Sequence, residues 1–549
     1  MTDLLTTIAI IFIVAGPFLL VANAVRLPTA PALIVAGVVA GFFIDPELKL
    51  EIARLGIALL VFTFAVRIQT TDLQTTIADS EVVAFSQLAI LGGAGFGAGI
   101  LLGLAPEQAI YLGMAAAISS SVLGTTLFLA GDLELLHDRL SESIHAMQDL
   151  VGLFLLLVVS AGVFALDPIA TKLGFGVILL LTAIAVNRYF FDLLGRLSNG
   201  TTEAMLIGTI ALLLIFLGGA ELLAVPIVVG AFAAGLAVVS DPEAYGGMMN
   251  GLDSINAFFA AIFFITVGSL VDFLPNLEVL VMTGVLVLLV AVVKPAITIA
   301  LLMYKGYERR TAVLTGFNLD QVGEFALVIA IEALFLQLLV PSVFQAIILA
   351  SVITLITASF TRQYEEAIYH RLADTGLLGR HGESMERWSD VPADLTDHII
   401  IVGYGRHGHQ LVDACEAHDQ PYVVIESDPS LIDHLRESCD AFVYGDVIEP
   451  DTLEKAKVYE ARLLISTADT PPVNEFLMDY TDTLDVIVRT KNRMSAQSFL
   501  DRGAFYVSVS DLLAADRLQE RLEALIDGEF DPEVLRDEVR ASLGRQRRW

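Results

Sequence analysis

An acid stands inside an apolar run: Asp149, preceded by Gln148, lies about five residues into SIHAMQDLVGLFLLLVVSAGVFAL, residues 143–166. A charge at mid-bilayer costs about 2.5–3.5 kcal/mol even on lenient scales, so an acid there points to something it binds. A carboxylate shielded from water holds a proton or a cation but does not favour both, and Gln148 offers a second oxygen ligand. Lys294 lies deep in LVLLVAVVKPAITIALLMY, where Pro295 removes a backbone donor and frees a carbonyl. A mid-span lysine can snorkel to the interface, yet its more usual role is to pair with a carboxylate.

Two further stretches read as helices that break. Ile118-Ser119-Ser120-Ser121-Val122-Leu123-Gly124-Thr125-Thr126 is small and hydroxyl-rich in mid-span, and Gly316-Phe317-Asn318-Leu319-Asp320-Gln321-Val322-Gly323-Glu324 carries amide, acids and glycine. Small polar residues also serve helix packing. One such interruption in each half of the chain is nevertheless the pattern of an inverted-repeat transporter with an ion site near the midplane, which makes Ser120, Ser121, Asp320 and Glu324 candidates beside Asp149, Gln148 and Lys294.

A different chemistry is written near the C-terminus. The β-rich run HIIIVGYG leads into Gly403-Tyr404-Gly405-Arg406-His407-Gly408 and the helical HQLVDACEAH, with Glu426 ending the next strand. A GxGxxG that follows a strand, opens a helix and has an acid about 20 residues on is a dinucleotide fingerprint. Its glycines let backbone N–H groups approach a pyrophosphate at the helix N-terminus, and the acid accepts from ribose hydroxyls. The plainer alternative is a tight strand-to-helix turn.

The elements that must position these groups follow from composition. At 549 residues, 55% of them hydrophobic, the chain is too apolar and too long for one soluble domain, and its mean hydropathy is +0.71. Apolar runs of about 17 to 25 residues recur up to residue 360, about 13 in all. The N-terminal run lacks a basic leader and a small-residue cleavage site, so it reads as a retained span. An odd number of spans puts the termini on opposite sides. Arg26, Arg67, Arg139, Arg188, Arg196, Lys305, Arg309, Arg310 and Arg362 fall on the side of the C-terminus, and Lys49, Arg54 and Lys172 on the other. The positive-inside rule then makes the C-terminal domain cytoplasmic and the N-terminus external, in a multi-pass protein of the cell membrane.

The expected organisation is a membrane domain over residues 1–360, a charged connector over 361–396, a Rossmann-like domain over 397–512 and a helical tail over 513–549. Strands alternating with helices imply a parallel sheet in the third part. No substrate domain follows it, which argues for ligand regulation over redox catalysis and against an enzyme. Cys415 and Cys439 lack metal-type spacing and a thiolate-activating neighbourhood, and read as structural. The net charge of −31, from 63 Asp and Glu against 32 Lys and Arg, argues against a nucleic-acid partner. It fits either an ordinary acidic surface or, the reading preferred, the salt-rich cytosol of a halophile, where screening removes the self-repulsion.

The order of AISSSVLGTT (117–126), MQDL (147–150), GAFAAGL (230–236), FFITVGSLVD (263–272) and LDQVGEFALVI (319–329) resembles the monovalent cation:proton antiporter-2 family. RLPTAPALIVAGVVAG (26–41) extends the likeness to the N-terminus, and the C-terminal unit, including GDVIEPDTLEKA (445–456), is similar to TrkA-N domains of conductance regulators, in the order found in Kef-type potassium efflux systems. The resemblance implies an α-helical bundle with inverted repeats and crossed broken helices, joined to an α/β nucleotide-binding domain. It implies that Asp149 is the ion-binding aspartate, Gln148 the glutamine of Kef-like members and Lys294 the partner of the aspartate. The substrates would be protons and K⁺ or Na⁺, the assembly a homodimer in membrane lipid. The nucleotide site would take in Gly403, Gly405, Arg406, His407, Gly408, Glu426 and Asp446, with an adenine nucleotide (AMP, ATP or NAD(H)) as regulatory ligand. The chain departs from the family at Asp320, where a small residue is common, and at Arg67, where relatives often carry a glutamate. The rival expectation is a nucleotide-gated potassium efflux channel, for which a carbonyl-rich filter such as TVGYG is missing.

Overall fold

Apolar runs that must satisfy every backbone group without water become helices. A computed structural model describes residues 2–509 except 26, 28, 68–76, 120–134, 164, 198–200, 239–241, 273, 376–382, 481–483 and 492, together with a few positions between 512 and 526. The chain falls into two compact units, the larger taking in most of the chain up to Thr375 and the smaller most of the chain beyond it, together with Gly306–Thr311.

The larger unit begins with α1 (Thr2–Ala24), α2 (Thr29–Ala40) and α3 (Pro46–Arg67), followed by α4 (Ile77–Leu101), α5 (Pro106–Ala117) and α6 (Leu136–Val159). After α7 (Leu166–Tyr189) and the short α8 (Phe191–Leu197) come α9 (Thr202–Leu222), α10 (Ile227–Ala237) and α11 (Pro242–Ser269). The last stretch holds α12 (Leu277–Leu288), a π turn (Leu289–Val293), α13 (Lys294–Lys305), α14 (Arg309–Phe317), α15 (Glu324–Phe335) and α16 (Pro341–Gln363). Seven of the described helices are long and apolar enough to cross a bilayer, and shorter apolar helices stand at Thr29–Phe43, Ile227–Ala237 and Phe258–Ser269. Leu181, Ile207, Leu214, Ile215 and Leu222 are each more than 60% exposed, as a surface in contact with lipid tails requires.

Without a hydrophobic drive between helices in lipid, small residues let backbones meet. A Cβ at Gly37 would lie 2.0 Å from the Ile265 carbonyl oxygen, and one at Gly268 2.1 Å from that of Ile34, which fixes α2 against α11. Gly113 and Gly95 do the same for α4 against α5. The π turn is explained by Pro295, which has no N–H to donate to a carbonyl of the preceding turn and so breaks the regular α ladder.

The smaller unit carries a six-stranded sheet in the order β3-β2-β1-β4-β5-β6, every strand pair parallel. The strands are β1 (His398–Val402), β2 (Tyr422–Glu426), β3 (Phe442–Tyr444), β4 (Ala461–Ser466), β5 (Asp485–Thr490) and β6 (Tyr506–Val509). This is the doubly wound order, with its reversal between β1 and β4, where ligands of such sheets bind. Continuous apolar strands such as HIIIV and YVVIE are buried on both faces, as the six expected runs require. Within the connector region, α16 continues to Gln363 and is followed by short helices over Glu365–Asp374 and Glu383–Trp388.

Candidate functional site

Two chain breaks meet inside the larger unit. The helix α5 ends at Ala117, α14 at Phe317, and the Gly323 N–H donates to the Ile118 carbonyl at 2.9 Å, so each unwound segment satisfies the other. Only glycine fits there: a Cβ at Gly323 would lie 2.3 Å from the Ser119 carbonyl oxygen. Val322 N–H donates to Thr354 Oγ1 at 3.2 Å, which ties the second break to α16.

Gln148 reaches from α6 to this crossing and is 0% exposed; Asp149, the next residue of α6, is 1% exposed. The Ser119 N–H, freed by the end of α5, donates to Gln148 Oε1 at 2.8 Å, and Gln148 Nε2 donates to Gln87 Oε1 at 2.7 Å. Gln87 in turn donates to Thr298, whose hydroxyl donates to the Lys294 carbonyl at 2.9 Å. A closed polar chain therefore runs from the unwound end of α5 through α6 and α4 to α13.

Lys294 is fully buried, and its described hydrogen bonds go to the two breaks. Its ammonium donates to Ser119 Oγ at 3.2 Å and to the carbonyls of Ile118 and Gln321 at 3.4 Å each. The lysine thus sits among oxygens of both breaks, the Ile118 carbonyl at the C-terminal end of α5 and the Gln321 carbonyl in the segment that precedes α15. Asp320, 4% exposed, and Glu324, 2% exposed and the first residue of α15, lie on the second break. Ser120 and Ser121 fall outside the described residues.

Sequence reading missed Gln87 and Thr298, although a glutamine inside EVVAFSQLAILGG is itself a polar residue at depth. It also missed a buried column on the face of α6 that carries Gln148: Asp138, Ser141 and His145. Asn318 Nδ2 donates to Asp138 Oδ1 and Ser141 Oγ at 3.2 Å each, and Arg362 lies 3.8 Å from Asp138. The expected apolar span hid them, because they sit at the helix end where charges pass for ordinary anchors.

In the smaller unit the fingerprint takes the geometry its glycines predict. Gly403 has φ +88°, and a Cβ at Gly408 would lie 2.0 Å from the Gly403 carbonyl oxygen, so strand and helix close on each other. Gly405 caps the helix Arg406–Ala417 from an extended conformation, and a Cβ there would meet nothing within 4 Å. Gly405 is therefore a matter of space: its side opens at a helix N-terminus, where the amides of a first turn have no intrahelical acceptor. Arg406 and His407 are exposed at that end. Partial desolvation by the surrounding loop, then the nearby Arg489 and Arg406 cations, holds the His407 pKa below its usual value. Arg489, at the end of β5, lies within reach of the Thr467 carbonyl at 3.5 Å, and Thr467 Oγ1 donates to the carbonyls of Val402 at 2.8 Å and Gly403 at 3.2 Å. Thr467 follows β4 at the sheet's reversal point and Arg489 reaches it from β5, a juxtaposition no sequence spacing announces.

Glu426 is half-buried and already accepts from three backbone amides: Tyr404 N at 2.8 Å, Ser427 N at 2.7 Å and Asp428 N at 2.9 Å. Burial pushes its carboxyl up and these bonds oppose the shift. Asp446, expected beside the ligand, caps the Ile448 amide at 3.1 Å and pairs with Arg310 of the same compact unit. Burial pushes both thiols up, Cys439 to about 11, the opposite of an activated thiolate.

Two unwound helix ends that meet beside a helix with a buried carboxylate, joined in one chain to a glycine-loop α/β lobe, point to a membrane ion transporter with an attached α/β domain. Two family models match: "Sodium/hydrogen exchanger, transmembrane" over residues 8–363 and "TrkA-N domain" over residues 399–510. The first spans more than half of the chain, which belongs to that exchanger family and is a transporter of the cation/proton antiport class, not an enzyme.

YbaL of Escherichia coli (strain K12), a proposed cation/proton antiporter, is 27% identical over 96% of this chain and 99% of its own length. The glutathione-regulated potassium-efflux system protein KefC of Escherichia coli (strain K12) is 26% identical over 89% of this chain and 80% of its own. Among solved structures, the sodium proton antiporter NhaP1 of Methanocaldococcus jannaschii aligns over 69% of this chain and 100% of its own with a TM-score of 0.47 and 14% identity. The TrkA-N domain of Escherichia coli YbaL aligns over 24% of this chain and 99% of its own, with a TM-score of 0.23 and 28% identity.

Proposed function

We propose that this protein exchanges a monovalent cation, K⁺ in preference to Na⁺, for protons at Asp149, and that a nucleotide on the C-terminal lobe regulates the exchange. The observation that carries the reading is the near-complete burial of Asp149 directly after Gln148, which Ser119 and Gln87 hold at the meeting of the two unwound segments. A buried carboxylate there takes a proton or a cation in turn, and competition between the two couples their flows once the site opens alternately to each side. Lys294, held among oxygens of both breaks, balances the site when neither ion is bound. A carboxamide beside one carboxylate offers a weaker field than two acids, which favours the less strongly hydrated K⁺. Ser120, Ser121, Asp320 and Glu324 complete the proposed ion pathway.

In the lobe, Gly403, Gly405 and Gly408 would bring amides to a phosphate, flanked by Arg406, His407 and Arg489. Glu426 retains acceptor capacity for a ribose hydroxyl and would repel a 2′-phosphate, so AMP, ATP or NAD(H) is favoured over NADP(H). The lobe is cytoplasmic, the N-terminus external and the assembly a homodimer.

The test is proton flux in proteoliposomes under imposed K⁺ or Na⁺ gradients, with and without voltage. Coupled exchange is expected in the parent and loss of at least about a hundredfold in Asp149→Asn, whose fold is retained. Normal coupled exchange in Asp149→Asn would remove Asp149 from the mechanism. Cation flux without proton coupling in the parent would favour an efflux channel, the role that the name of the potassium-efflux relative leaves open.

A further inference from the structure

The larger unit is two groups of helices. α2, α3, α10 and α11 pack tightly on one another; so do α4 with α5, and α12 and α15 with α16. Close backbone approaches follow the same division: Gly37, Gly268, Gly230 and Gly235 bring α2, α3, α9, α10 and α11 together, and Gly95, Gly113 and Gly323 join the segments around the crossing. Among the described residues, no glycine brings backbone of one group against backbone of the other. The seam is made of side chains, and such seams can part.

Polar ties cross it at one end of the bundle. Arg54, on α3, lies 3.2 Å from Glu332, on α15, with side-chain exposures of 28% and 12%. The Arg54 guanidinium also lies 5.0 Å from the centre of the Phe335 ring. Gln345, on α16, accepts from the Asp272 amide at 3.0 Å and donates to the Leu270 carbonyl at 3.3 Å, at the end of α11. The ion pair stands on a narrow crevice lined by Ile57, Ile227 and Val228 on one side and Val328 and Ile331 on the other. The crevice follows about 6 Å of α15, from Glu332 to Val328, and Val328 is one further turn from Glu324 at the second break.

We propose that Arg54 and Glu332 are a latch that closes this end of the exchanger, which is the external end on the topology that loop charges predict. The inference rests on the exchange reading above, since a latch is needed only where the two groups move. A half-shielded arginine–carboxylate pair is a reversible tie: it is stronger than a fully exposed one, and opening rehydrates both charges at little net cost. The apolar walls below it keep water from Asp149 while the pair is made.

The experiment follows Val328→Cys in a Cys415→Ser, Cys439→Ser background of the full chain, labelled from the external side by a membrane-impermeant maleimide in proteoliposomes, with exchange measured in parallel. Arg54→Gln and Glu332→Gln should each raise the labelling rate at least about fivefold, and the swap Arg54→Glu with Glu332→Arg should return it toward the parent rate. Arg54→Lys, which keeps the charge without the fork, should fall between. Equal labelling in all variants, or a swap as exposed as either single variant, overturns the latch. Unchanged labelling with normal exchange removes the latch and leaves the exchanger. The expected labelling pattern in a parent without coupled exchange keeps the latch and removes the exchange chemistry.

Discussion

Gln148 is fixed at both ends of its amide, by the Ser119 N–H and by Gln87 Oε1, and this decides what a substitution there does. An aspartate could still accept from Ser119 but could not donate to Gln87, and it would double the local negative charge. Gln148→Asp should therefore shift the cation ranking or the pH profile of exchange without abolishing it, and an unchanged ranking and profile would exclude Gln148 as a ligand. His407 answers to the same reasoning in the lobe. Its pKa is held below the usual value in the free protein, first by partial desolvation and then by Arg489 and Arg406, and a bound phosphate would raise it. A group that gains a partner on binding takes up a proton as the ligand arrives, so affinity for AMP should rise as pH falls through the interval between the two pKa values. Calorimetry across about pH 5.5 to 8 should show that slope in the parent and not in His407→Ala. Asp149, Lys294 and the glycines were legible as single residues because their chemistry is out of place in their surroundings. Their partners were not: Gln87 is 61 residues from Gln148, and Thr298 is 211 residues from Gln87, separations that only the packed helices close.

Among elements, two glycines that look alike in sequence carry opposite consequences. A Cβ at Gly408 would collide with the Gly403 carbonyl, so Gly408→Ala should cost on the order of 1–3 kcal/mol and lower the melting temperature of the lobe. Gly405 opens onto free space, so Gly405→Val should fold normally yet lose nucleotide binding together with any nucleotide effect on flux. Tight binding by Gly405→Val would make the loop a plain turn. The membrane counterpart is Gly323, where a methyl would lie 2.3 Å from the Ser119 carbonyl oxygen and 2.8 Å from Ile118 Cγ2. Gly323→Ala should separate the two breaks and abolish exchange while the protein still inserts, and near-parental flux would show that their contact is dispensable. The helices and the six strands could be read from apolar runs because burial sets their period and length. Lys294 shows what the sequence leaves out: a mid-span lysine announces a need for acceptors, and two unwound segments supply carbonyl oxygens that no spacing reveals. Helix breaks show in sequence as small and polar residues, but which carbonyls they release depends on how the breaks cross.

For the whole molecule, the net charge of −31 is a property that no single contact explains. Its acids outnumber the basic residues by 63 to 32, so even with exposed pairs such as Asp433–Arg436 and Asp479–Arg502 a net repulsion remains, at a range set by the ionic strength. The Debye length is about 30 Å at 0.01 M and about 3 Å at 1 M, so in dilute salt each acid feels charges across the width of a small domain, and at molar salt only its immediate neighbours. Self-repulsion of this kind destabilises the compact state. The full chain in nanodiscs of uncharged lipid should therefore gain thermal stability as KCl rises from about 0.02 M to about 2 M, with most of the gain below about 0.5 M, where the Debye length changes fastest. Screening depends on ionic strength and not on which salt supplies it, whereas surface exclusion favours sulfate over chloride. Chloride and sulfate at matched ionic strength should then give the same rise over the lower range. A melting temperature that is flat in salt, or one that climbs only with sulfate, would show that the acidic excess is an ordinary solvated surface and not an adaptation to a salt-rich cytosol.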